Sequence, residues 1–178
     1  MSLTELQAKL AKLEQDLDRT QQKVSEVLHN IEEPAKSDHV YCYFNHSLLV
    51  EHEKNASRLI MGSFHIKNTS NKKMDKPIIL IKISSENKFN FSGKFQTDQQ
   101  KQSGNFQWKR VHLQNLDPAT HFCLKPTNKD YLAPHELLSF QNFQIKIPLH
   151  ASILAEGFVY FEESNDGVPS VNSINIGL

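Results

Sequence analysis

LIMGSFHIKN, residues 59–68, alternates along its length. Ile60, Gly62, Phe64 and Ile66 fall on one side of an extended chain, and Met61, Ser63, His65 and Lys67 fall on the other. A two-residue period of this kind predicts a half-buried β-strand. The same habit continues in both directions, through VYCYF (40–44), SLLVEH (47–52), PIILIKIS (77–84), KFNFSGKF (88–95) and NFQWKRVHL (105–113). HFCLK (121–125), SFQNFQIKI (139–147), EGFVYFEE (156–163) and SVNSINI (170–176) complete the series. Between these runs, NTSNKKMDK, TDQQKQSGN, DPAT and SNDGVP carry turn and loop chemistry. No segment beyond Pro34 holds the ten or so helix-periodic residues that a crossover helix needs. Residues 39–178 are therefore expected to form an antiparallel sandwich or jelly-roll-like body. Its core should include Phe64, Ile66, Ile79, Ile81, Phe143, Ile145, Phe158 and Tyr160.

The first 33 residues follow a different rule. They contain no Gly, Pro, Cys or aromatic residue. Leu3, Leu10, Leu17, Val24 and Ile31 occupy the a positions of a heptad, and Leu6, Leu13, Thr20 and Val27 the d positions. A narrow stripe with a 3.5-residue period favours a coiled-coil seam over a helix lying on a globular core. Four heptads in register imply left-handed supercoiling. Ser2 and Glu5 fit a capping box, and Pro34 blocks continuation of the helix. Some 30 helical residues would make a rod of about 45 Å. The chain is thus expected to be mainly β, with an N-terminal α-helical coiled coil over 1–33, a linker over 34–38 (PAKSD) and a β-sandwich over 39–178. The mixed a and d residues do not separate a homodimer from a homotrimer. A helix folded back on its own head is the competing arrangement.

Composition narrows the function classes. Twenty basic and twenty acidic residues cancel, which gives no case for nucleic acid as a partner. The longest near-apolar run, PIILIKI, is too short to cross a bilayer, and the N-terminus lacks an apolar signal core. No membrane association is expected, and synthesis in the cytoplasm is. Cys42 and Cys123 show no metal-ligand spacing and read as buried thiols. Asn-X-Ser/Thr matches at Asn45, Asn55, Asn68 and Asn90 read as chance without a secretory route.

Catalytic motifs are missing: no phosphate-binding glycine loop, no H-E-x-x-H and no G-x-S-x-G occurs. The nine histidines are scattered without ligand spacing, so no metal and no cofactor is expected. Aromatic residues offer the one candidate ligand face. Tyr41 and Tyr43 alternate against Val40, Cys42 and Phe44, while Trp108 and Arg110 share a side of their strand. Exposed aromatic rings beside polar groups suit stacking on sugar rings, although a single Trp in a sandwich is more often core.

The run GSFHIKNTSNKKMDKPIILIKI (62–83) and the later YLAPHELLSF (131–140) resemble the strand–loop–strand and L-x-P-x-E…F pattern of bacterial immunoglobulin-like accessory domains. His135 stands where that family usually has Gly. The resemblance implies an immunoglobulin-like sandwich and no activity. These features together lead us to expect a non-enzymatic, oligomeric structural or interaction protein that clusters β-sandwich heads, as a phage, spore-surface or other particle component would. A carbohydrate-binding module is one alternative. The other is a cytosolic adaptor or inhibitor that pairs its helix with a partner protein.

Overall fold

The computed structural model describes Lys23 and residues 40–50, 56–97, 106–162 and 164–177. The chain divides into two units, 1–38 and 39–178. All nine seam positions from Leu3 to Ile31, and the linker, lie outside the described residues.

The second unit is built of strands: β1 (Val40–Val50), β2 (Ser57–Asn68), β3 (Met74–Asp75), β4 (Ile78–Ser84), β5 (Asn90–Ser92) and β6 (Trp108–Val111). They continue as β7 (His121–Pro126), β8 (Tyr131–Leu132), β9 (Leu137–Pro148), β10 (Ile153–Phe161), β11 (Ser164–Pro169) and β12 (Ile174–Ile176). The first sheet has the order β1-β2-β9-β5 and the second β11-β10-β4-β7-β6, with β12 also beside β10. β3 and β8 form a two-stranded ladder of their own. Every pair of these strands is antiparallel.

Large rings join the two main sheets. Phe91 of the first sheet lies 4.2 Å from Phe122 of the second, and Trp108 of the second lies 5.7 Å from Phe140 of the first. The backbone of Gly157 in β10 faces Phe44 and Phe64 so closely that a side chain there would collide with both. The body is a mainly-β, sandwich-like arrangement. Phe64, Ile66, Ile79, Ile81, Phe143 and Ile145 are fully buried.

Three expectations need correction. Phe158 and Tyr160 are only half-buried, because β10 turns Ile153, Ala155, Gly157, Val159 and Phe161 inward instead. SNDGVP is a strand, β11, despite its turn-rich composition, because it ladders along the edge of β10. SLLV does not begin a new strand; it extends β1 as far as Val50.

Asn68 ties together the two segments that carry the immunoglobulin-like pattern. It is fully buried. Its amide nitrogen donates to the carbonyls of Lys72 at 2.7 Å and Ala133 at 3.0 Å. Its Oδ1 accepts from the backbone and hydroxyl of Ser70 at 2.9 and 2.8 Å. The buried amide thus replaces the ladder bonds that the loop after β2 cannot make. His135, where the pattern carries Gly, has a φ of 55°, in the left-handed region that favours glycine.

Candidate aromatic face and amide clefts

The site is built from strand parity. In β1 the odd-numbered residues point away from the core, and register pairs them with outward residues of β2: Tyr41 with Lys67, Tyr43 with His65, Asn45 with Ser63. β9 extends two of these rows, placing Leu137 beside Lys67 and Ser139 beside His65. The rings follow the rows. Tyr41 stacks on Tyr43 with centroids 6.1 Å apart, and Tyr43 stacks on His65 at 4.9 Å. Tyr41 is 43% exposed, so the end of this strip is open to solvent.

His65 is the member that sequence patterning alone does not assign to the site. Its Nδ1 lies 2.7 Å from Ser139 Oγ. Burial beneath Tyr43 holds the imidazole below its ordinary value of 6.5, so the neutral ring is favoured. Alternation places His65 on the outer side of its strand, but pairing with Tyr43 depends on the β1–β2 register.

The other two candidates lie elsewhere. Trp108 is buried, with its indole Nε1 donating to the Ser139 carbonyl at 3.3 Å. Arg110 is fixed by its guanidinium, which lies 4.6 Å above the Phe122 ring and donates to the Pro118 carbonyl. Tyr41 and Tyr43 therefore share a surface, whereas Trp108 is packed beneath it and Arg110 pins the 112–120 loop to β7.

Between Phe140 and Phe143 the pairing of β9 with β2 slips by one residue. Gln141 and Asn142 occupy the bulge, and Asn142 has a φ of 59°. The extra residue lets both phenylalanines point inward, where each is fully buried. It also pushes Gln141 and Asn142 outward between two shallow clefts. One, of about 510 Å³, is lined by Lys94, Phe106, Gln107, Trp108, Gln141 and Asn142. The other, of about 310 Å³, lies toward β1 and includes Asn45, His46, Ser63 and Asn142. This chemistry is stacking and hydrogen bonding from neutral amides.

Among the described residues no three His, Cys, Asp or Glu side chains gather as a metal site. Cys42 and Cys123 are buried free thiols, and burial pushes Cys42 up to about 12. No helix among the described residues is long and apolar enough to cross a membrane.

No family model and no curated protein matches the chain. Two crystal structures of a GH20 exo β-N-acetylglucosaminidase from Vibrio harveyi align with it, one in complex with N-acetylglucosamine and one of an inactive mutant. Each covers 79% of this chain at 10% identity, with TM-scores of 0.32 and 0.30. The aligned part is 18% of the glycosidase chain, so this chain spans under a fifth of that length. Likeness at this level assigns neither fold family nor function.

Proposed function

We propose that this chain is a non-enzymatic, oligomeric binding protein. A heptad helix over residues 1–33 gathers two or three copies, and each copy contributes an immunoglobulin-like or jelly-roll-like head. The head offers the outer side of its β1–β2–β9 sheet to a glycan. The observation that carries the recognition half is the Tyr41–Tyr43–His65 stack, with an exposed ring at one end and hydroxyl and amide groups in the adjoining rows. A flat aromatic strip with polar neighbours suits the apolar side of a sugar ring and its hydroxyls. Repeated weak contacts of this kind gain strength when heads are linked, because later binding events become intramolecular. Such a protein suits the surface of a particle assembled in the cytoplasm.

The test is a glycan array probed with the full chain and with Tyr41→Ala. Tyr41 is exposed, so its removal leaves the core intact. Binding to a defined glycan class that falls at least tenfold in Tyr41→Ala supports the reading. An array with no binding, or binding unaffected by the substitution, overturns it.

A further inference from the structure

The bulge in β9 leaves chemistry that the core does not account for. Burial of both Phe140 and Phe143 demands an extra residue and a left-handed backbone at 142, a need that glycine meets with less strain. The core makes no demand on the identity of residue 141. Yet both positions carry amides, both are exposed, and Gln107 brings a third amide to the same cleft from β6's approach.

Among the described residues, charge on this surface has one sign: no Asp or Glu lines either cleft. The outward positions of β1, β2, β5 and β9 carry Lys67 and Lys146 and no carboxylate. Lys94 stands at the larger cleft, exposed and without an intramolecular partner among the described residues.

We propose that the bulge cleft binds the carboxylate-bearing sugar of an acidic glycan. Amides both donate and accept, so Gln107, Gln141 and Asn142 match vicinal hydroxyls, while Lys94 supplies the charge for the carboxylate. Phe106 gives the ring an apolar wall. Asn142 belongs to both clefts, and the row Asn45–Ser63 adjoins Tyr43–His65. A glycan seated at the bulge can therefore reach the tyrosine strip. This assignment rests on the proposed glycan-binding function and adds its charge and its subsite.

The experiment is calorimetric titration of the full chain with sialyllactose and with oligogalacturonate, each beside its carboxyl-reduced form. At least one acidic probe should bind tenfold or more tightly than its reduced form, with the gap closing in 0.5 M NaCl. Lys94→Gln should abolish that preference. Asn142→Gly keeps the left-handed backbone and removes the amide, and it should weaken the acidic and reduced forms alike by about tenfold. Equal binding of acidic and reduced probes overturns the proposal, as does an unchanged preference in Lys94→Gln. If either result accompanies binding that Tyr41→Ala still destroys, the tyrosine-strip reading stands and the acidic subsite alone fails. If neither probe pair binds and the array is also blank, both fall.

Discussion

Gly157 is placed where Phe44 and Phe64 of the opposite sheet lean on the backbone of β10. A methyl group there would stand 2.2 Å from Phe64 Cε2 and 2.9 Å from Phe44 Cε2, closer than real side chains approach. Both rings are buried and have little room to retreat. Gly157→Ala should therefore cost about 1–3 kcal/mol by overpacking, read as a lower urea midpoint at unchanged slope. An unchanged midpoint would show that the two sheets can part to admit a methyl group. Asn68 tests the opposite case, a buried polar group with all its partners in place. Asn68→Ala strands the buried Ser70 amide and takes one of two donors from each of the Lys72 and Ala133 carbonyls, and should cost about 1–3 kcal/mol. Asn68→Asp keeps the acceptor and loses the donors while burying a charge, so it should rescue nothing.

Strands show most clearly what residue types can and cannot announce. Alternation in 59–68 and in 143–147 names the buried residues correctly because one side is apolar and the other polar. In β10 both sides are apolar, and the tie is broken from outside: the rings of Phe44 and Phe64 need the space that only Gly157 leaves. Bulk misleads there, since Ala155 and Gly157 face inward while Phe158 and Tyr160 do not. β11 is held by its edge position beside β10, which composition does not record. Tyr41 and Tyr43 are legible as a pair on one side of a strand. The amide clefts are not, because they bring Lys94 and Gln107 to a bulge more than thirty residues later in the chain. The pairing of β1 with β2 also has a pH consequence. Tyr43 from β1 and Ser139 from β9 cover His65, Lys67 follows on its own strand, and no carboxylate pairs with it in these rows. Its native value lies below the ordinary 6.5, so the unfolded chain binds the extra proton. His65 thus contributes stability that is fully present above about pH 6.5 and is lost as pH falls through the native value. The urea midpoint should drop more between pH 7.5 and pH 5 for the native sequence than for His65→Gln. Equal drops would mean that the ring is not held neutral by its neighbours.

At the scale of the molecule, the proposed seam and the head make separable predictions. Leu10 and Leu17 are a positions of the heptad and belong to the unit that precedes the head. An unpaired charge in an apolar seam costs several kcal/mol, so Leu10→Asp and Leu17→Asp should each reduce the mass seen by light scattering from two or three chains to one. Among the described residues, the head's buried cluster draws its rings from β1 through β10. Its urea transition should therefore keep its midpoint in both variants. Affinity then divides by the valence of the assay. A soluble monovalent sugar should bind the single-chain variants as well as the native protein, since each head carries a complete tyrosine strip. On a surface dense with the same sugar, the native assembly should bind on the order of a hundredfold more tightly, because linked heads rebind before they escape. Loss of the head's own unfolding transition along with the seam would show that the leucines support the β body. Equal surface affinity for one chain and for the assembly would show that the helix gathers something other than heads for binding.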